Sequence, residues 1–314
     1  MPSVWIDTDM GFDDLAAICV IAASPQHRIA GLSLVAGNAP FDSVARNAAG
    51  AAHLFDWRFP IHLGRERPLL NELETAGYVL GPRGMASIGR HLPEAELTAA
   101  PMPAWQALAQ YIKTSTDGIH ILALGPLTNL ALLALNEPEL VKSIDHLFWM
   151  GGGIGGNHTA AAEFNAAVDP EALAIVLNSG MSMHMVGLDT CRQCLLTHEH
   201  VTSLRQIGTD KALIMSDLMA AYVNIAGPQG RMACYDPLAA AALIDPALVN
   251  FKPAHVTAEL HGHATRGMSV IEWRVPRKAK ANALVSTHPD ASAALELING
   301  SLARSCQEKE ADHA

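Results

Sequence analysis

The sequence predicts an α/β protein: an open, mostly parallel, Rossmann-like sheet with helices on both faces and its active site at the carboxyl ends of the strands. Three observations predict it. Short apolar runs alternate with longer helical patterns along nearly the whole chain, the order expected when strands are joined by helical crossovers. The strand candidates are apolar throughout, as strands buried on both faces are. Asp and Asn side chains recur just after those strands, where open α/β sheets bind their ligands. The chain has 314 residues, half of them hydrophobic, which is ample for a full core. Aromatics make up only 5%, so Ala, Leu, Val and Ile must fill it. No repeat or low-complexity linker is visible, and we expect one domain over 1–314 with a mostly helical insertion around 197–235.

Taken in order, Val4 to Ile6 reads as the end of a buried strand and Leu15 to Ala23 as an apolar helix that Pro25 cannot continue. Ile29 to Ala36 is a strand, ended by Gly37-Asn38-Ala39-Pro40. Ser43 is the expected cap of an Ala-rich helix to about Phe55, and Phe59 to Leu63 is a short strand. Residues 65–100 show no period and many Gly and Pro; such stretches are often functional lids or disordered. Trp105 to Lys113 is helical and Ile119 to Leu124 is a buried strand. Thr128 is the expected cap of a Leu/Ala helix to Asn136. His146 to Met150 is a strand broken by Gly151-Gly152-Gly153, and Asp169-Pro170-Glu171 starts a helix running to Ser179-Gly180. Met183 to Val186 is a strand. The segment 197–245 is mostly helical, interrupted at Gly227-Pro228-Gln229-Gly230; 254–273 looks like a hairpin and 290–304 a closing helix.

The first strand leads into the most informative stretch. Asp7, Asp9, Asp13 and Asp14 follow it within eight residues, with Gly11 in the turn. Acids at a helix N-terminus are favourable by themselves, and capping accounts for Asp13 or Asp14. It does not account for Asp7 and Asp9 on the strand side. Four carboxylates this close repel one another, and a hard divalent cation would relieve that.

The formal net charge is −10, with no basic run to offset it, which argues against a nucleic-acid polymer or an anionic membrane as partner. The N-terminus enters a strand almost at once, and no apolar run is long enough to span a bilayer, so a cytoplasmic protein is expected. The five cysteines, Cys19, Cys191, Cys194, Cys234 and Cys306, are scattered and do not read as a disulfide framework. Cys191-Arg-Gln-Cys194 has redox spacing but no second pair for zinc, and reads as structural or incidental.

Further along, Asn38, Asn157, Glu163 and Asn165 all fall after apolar strands, and Asp236 sits ahead of an Ala-rich helix. Amides and carboxylates at strand ends suit a polyhydroxylated sugar, whose hydroxyls both donate and accept.

Here the sequence resembles a known family. Asp7-Thr8-Asp9-Met10-Gly11-Phe12-Asp13-Asp14 is similar to the aspartate signature of the inosine–uridine preferring nucleoside hydrolases. Gly37-Asn38, Leu124 to Asn129, Met150-Gly151-Gly152, Glu163-Phe164-Asn165 with Asp169-Pro170, and Asp236-Pro237 follow in the family's order, across nearly the whole chain. The resemblance implies the nucleoside hydrolase fold and hydrolysis of a ribonucleoside to ribose and free base. It implies Ca²⁺ held by Asp9, Asp14, Asp236 and the Leu124 carbonyl, with Asp9 as general base for a Ca-bound water. Asp13, Asn38, Asn157, Glu163 and Asn165 would grip the ribose, with Met150 near its 5′ side. Purine or pyrimidine salvage and a homo-oligomer, dimer or tetramer, are expected with it.

The chain also departs from the family. Where some members have a histidine before the last metal aspartate, this sequence has Tyr235, and a second family histidine aligns with Leu80. Tyr235 is therefore the candidate for contact with the leaving base, by proton donation or by packing. Tyr78, Tyr222, Asn224 and Arg231 are further candidates for base contact. His261 and His263 on an expected strand, and His198 and His200 at a helix start, read as surface positions. Two other readings compete. Asp7-Thr8-Asp9 resembles the start of haloacid-dehalogenase-type phosphatases, with Asp7 as nucleophile, but no lysine precedes Lys113 and Lys142 follows no obvious strand. A nonenzymatic ribose or nucleoside binder on the same site is the other.

Overall fold

The computed structural model describes residues 1–227, 230–275 and 277–307. The strand β1 (Ser3–Thr8) is buried at every position. It passes through Met10 into α1 (Phe12–Ala22). Met10 is a non-glycine residue at φ 53°, a left-handed turn of the kind that collects at functional sites. β2 (Arg28–Leu34) pairs parallel with β1, α2 (Phe41–Phe55) follows, and β3 (Ile61–Leu63) closes this side.

Residues 65–100 carry only the short α3 (Gly77–Leu80). Side chains of the body tie this irregular backbone down. Asn129 accepts from the Arg65 N–H at 3.0 Å, Asp169 from the Leu69 N–H at 2.9 Å and Asp217 from the Arg90 N–H at 2.8 Å, while Asn47 donates to the Arg83 carbonyl at 2.9 Å. Such bonds satisfy polar groups that no helix or ladder serves.

The alternation resumes with α4 (Ala104–Thr114), β4 (Ile119–Ala123), α5 (Thr128–Asn136), β5 (His146–Met150), α6 (Phe164–Val168), α7 (Pro170–Asn178) and β6 (Met183–Val186). Asp169 caps α7 by accepting from the Ala172 N–H, with Pro170 first in the helix. Two expected caps differ. Ser43 lies inside α2, which Pro40 precedes without a side-chain cap. Thr128 opens α5 but does not cap it, because its hydroxyl donates to Asp169 Oδ2 at 2.7 Å.

Next come α8 (Leu188–Cys191), β7 (Leu195–Thr197), α9 (His198–Arg205), α10 (Asp210–Ile225), β8 (Arg231–Ala233) and α11 (Asp236–Ile244). His198 and His200 do open α9. In the break after α10, Pro228 and Gln229 lie outside the described residues. β7 and β8 pair antiparallel as a separate two-stranded sheet, which three-residue strands gave no periodicity to reveal. β9 (Val249–Ala258) and β10 (Ser269–Glu272) form the expected hairpin, but β9 begins earlier than 254. His261 and His263 are exposed in the loop between them and not on a strand. β11 (Ala283–Pro289) is an unexpected strand, too rich in Ser, Thr and His to stand out. α12 (Ala291–Cys306) closes the chain, capped by Asp290.

The nine-stranded sheet has the order β10-β9-β11-β6-β5-β4-β1-β2-β3. The pairs from β11 to β3 are parallel, and β9 is antiparallel to both its neighbours. Helices cover both faces. α1, α11 and α12 pack Leu15, Ile18, Leu238 and Ile298 on one side; α4, α5 and α7 pack Leu108, Leu130 and Leu173 on the other. The chain runs from β1 outward to β3, returns, and continues the other way from β4. That reversal opens a crevice between the carboxyl ends of β1 and β4, the place where such sheets take ligands.

Candidate active site

Asp9 lies just past the end of β1 and reaches toward the end of β2. There Asp9 Oδ2 accepts from the Asn38 N–H at 2.6 Å and Oδ1 from the Asn38 amide at 2.9 Å. Gly37 permits this approach: a Cβ on it would lie 2.1 Å from Asp9 Oδ2. Asp14 accepts from the Thr8 hydroxyl, from the Asp9 N–H at 3.2 Å and from the Gly11 N–H at 2.9 Å. It therefore caps α1, and its carboxyl also lies against those of Asp9 and Asp236. Asp236 arrives as the first residue of α11, with Pro237 behind it. Asp13, Asp14 and Asp236 each bring an oxygen within 4.8 Å of the others.

Asp7 does not join them. It points toward α5, where the Asn129 amide donates to its Oδ1 at 2.8 Å, and it is fully buried away from the cavity lining. The expected gathering of four acids is thus one of three with Asp236 added. Asp7 has no access for a phosphatase nucleophile.

Burial dominates the electrostatics of these acids. It pushes Asp13 and Asp7 up to about 7, and holds Asp9 and Asp236 well above the usual carboxylate range. Repulsion from Asp14 adds to the rise at Asp9 and Asp13. Four acids this close, with Asp9, Asp14 and Asp236 buried, do not all ionise without a positive charge among them. Asp13 Oδ1 is buried without a hydrogen-bond partner. Hard oxygen donors in that state fit a divalent cation of the Ca²⁺ or Mg²⁺ kind.

Beside the acids lies a cavity of about 200 Å³. Asp13, Asn38, Leu124, Met150, Asn157, Glu163, Asn165, Tyr235 and Asp236 all line it, while Asp9 and Asp14 are fully buried next to it. The local chain explains each position. Glu163 caps α6, accepting from the Gly152, Asn165 and Ala166 N–H groups at 2.8, 2.9 and 3.1 Å. Asn165 donates to the Leu124 and Met150 carbonyls at 2.9 and 3.0 Å, which ties α6 to the ends of β4 and β5. Asn157 accepts from the Phe164 N–H at 2.9 Å. Burial pushes the half-buried Tyr235 phenol up to about 12, so it keeps its proton at neutral pH.

Of the base-contact candidates, Tyr78, Tyr222 and Tyr235 line the cavity. Asn224 and Arg231 are exposed and do not. Leu80 does, so that wall is apolar there. Phe164, Met232 and His158 also line the cavity, with no sequence motif to mark them as lining residues. His158 is the one histidine of this cavity among the described residues; its Nε2 lies 2.8 Å from Glu74 Oε2 and its ring meets Phe164 edge-on. Only its place directly after Asn157 could have flagged it. All five cysteines are free and buried.

The family model described as inosine-uridine preferring nucleoside hydrolase matches residues 4–296. The non-specific ribonucleoside hydrolase RihC of Salmonella schwarzengrund is 33% identical over 290 residues, covering 91% of this chain and 94% of that protein. RihC of Klebsiella pneumoniae is 34% identical over 288 residues, with 91% and 93% covered. Among solved structures, a purine-preferring ribonucleoside hydrolase from Gardnerella vaginalis superposes with a TM-score of 0.90 at 25% identity, over 97% of this chain and 99% of that one.

Proposed function

The chain belongs to the inosine-uridine preferring nucleoside hydrolase family and is a ribonucleoside N-ribohydrolase, and on that premise we propose how its residues divide the work. One observation carries the reading: a floor of buried carboxylates under a cavity walled by amides and carboxylates.

Asp9, Asp14, Asp236 and the Leu124 carbonyl would hold a Ca²⁺ ion. When bound, the ion supplies a Lewis acid that lowers the pKa of a nearby water. Asp9 takes the proton of the attacking water, and Asn38 holds both of its oxygens in place. Asp13, Asn38, Asn157, Glu163 and Asn165 grip the ribose hydroxyls, and Met150 packs on its 5′ side. Loss of the base leaves C1′ with oxocarbenium character, as in other glycoside cleavage, and the surrounding carboxylates stabilise that charge. Tyr235 faces the departing base as a neutral donor. The same reading places the enzyme in purine or pyrimidine salvage in the cytoplasm, as one folding unit that assembles as a dimer or tetramer. No helix among the described residues is long and apolar enough to cross a membrane.

The test is a panel of common ribonucleosides scored by reducing-sugar release, with and without Ca²⁺. Turnover that depends on the ion supports the assignment. Saturable binding without turnover would replace it with the binder reading.

A further inference from the structure

Tyr222 lines the cavity where a base would sit, but its hydroxyl is committed elsewhere. It stands near the end of α10, 4% exposed, with its ring tilted against Phe12 of α1 at 5.3 Å between centroids. The hydroxyl lies 3.0 Å from Asp13 Oδ2 and 3.4 Å from the Ala233 carbonyl. A phenol has one proton to donate. The shorter contact is to a carboxylate, and charge-assisted bonds are the stronger ones, so Asp13 takes it. Tyr222 thus reaches from α10, a helix 209 positions away in the sequence, onto the first turn of α1.

An aspartate's terminal torsion is broad, and a carboxylate with no donor on it swings. Gripping a hydroxyl requires a fixed acceptor direction. We propose that Tyr222 is a positioning residue: it clamps Asp13 in the orientation that accepts a ribose hydroxyl, and thereby sets the preference for ribonucleosides over deoxyribonucleosides. The proposal rests on the reading of Asp13 as a ribose-hydroxyl acceptor. A site built to bond a hydroxyl rejects the analogue that lacks it, because its own polar group is then left unpaired. Loosening Asp13 therefore penalises the ribonucleoside and leaves the matching deoxynucleoside nearly untouched.

The experiment measures kcat and KM for one ribonucleoside and its 2′-deoxy and 3′-deoxy forms. Tyr222→Phe keeps the ring against Phe12 and removes only the donor. We expect kcat/KM for the ribonucleoside to fall about 10- to 100-fold, the worth of one bond to a charged group. For the deoxynucleoside that lacks the hydroxyl held by Asp13, the fall should be under about threefold, so the ribo/deoxy ratio collapses. Asp13→Ala should collapse the same ratio, and Tyr222→Phe added to it should change the ratio no further. That second arm leaves no buried carboxylate without its donor, so it remains measurable if the single variant folds poorly. Equal losses on all three nucleosides in Tyr222→Phe would overturn the proposal and return Tyr222 to packing or base contact. If Asp13→Ala itself keeps both ratios, the ribose assignment of Asp13 fails, and the proposal falls with it.

Discussion

Gly37→Ala should disable the enzyme without unfolding it. The added Cβ would lie 2.1 Å from Asp9 Oδ2 and 2.9 Å from Pro126 Cδ. Ordinary contact needs well over 3 Å, so the Asp9 carboxylate must move outward by roughly 1 Å, a displacement that costs about 10²-fold in rate when the group is catalytic. The same movement disturbs the 2.6 Å bond from the Asn38 N–H. Its backbone conformation does not require glycine, since its φ is not in the left-handed region, and the tighter of the two clashes is the one with Asp9. kcat for the best nucleoside should therefore drop ~10²-fold or more, while the melting temperature shifts by only a few degrees. Gly155→Ala is the control, because a Cβ there meets nothing within 4 Å. Reducing-sugar assays and thermal melts on both variants decide it. Gly37→Ala with more than half the wild-type rate would show that Asp9's position is not critical.

Asp9→Asn should lose at least ~10³-fold in kcat with the fold intact, since base catalysis alone contributes about 10²–10⁴; half-normal turnover would remove Asp9 from the mechanism. Protein purified without chelator should carry about one Ca²⁺ per chain by elemental analysis, and a metal-free preparation at full activity would contradict the assigned ligands. Tyr235→Phe should lose activity on a nucleoside but keep most of it on 4-nitrophenyl riboside, whose leaving group needs no proton; equal losses, or none, would favour packing alone. Acid should weaken the fold through His184. Burial and the neighbouring His146 push its imidazole down to about 4, so the unfolded ring binds a proton from about pH 6.5 downward and the folded one does not. Its contribution is complete above about pH 6.5 and is lost as pH falls toward 4, by up to about 3 kcal/mol. His184 stacks on Phe148 at 4.5 Å, so His184→Phe should keep the packing and flatten this part of the melting curve against pH; an unchanged slope would exclude His184 as the cause.

Much of the site was legible because its parts are local. Asp9, Gly11 and Asp14 share one strand–turn–helix junction, and Glu163 and Asn165 share one short helix. Burial on both faces made β1, β4 and β5 plain apolar runs. What spacing could not show was direction. Asp7 and Asp9 are two apart, as same-face strand residues are, but β1 ends at Thr8, so Asp9 no longer follows the strand's alternation. Tyr222 and Asp13 meet only through the packing of α10 beside α1, which no local pattern encodes. The hydroxyl of Thr128 went to a distant carboxylate and so could not cap. β11 hid because its polar residues read as loop.

The ties on residues 65–100 have a consequence for how such an enzyme changes its diet. The wall formed by Tyr78, Val79 and Leu80 hangs between the contacts made by Leu69, Glu74, Arg83 and Arg90. At Leu69 the bond uses a backbone N–H and at Arg83 a carbonyl, so those two anchors are indifferent to the side chain at the tied position, whereas at Arg90 the guanidinium adds an ion pair to Asp217 at 3.7 Å. The residues between anchors can therefore be exchanged without disturbing the sheet or the acids beneath it. A library randomised at 78–80 should yield folded, ion-binding variants that differ in which base they release, which makes this segment the natural place to redirect the enzyme.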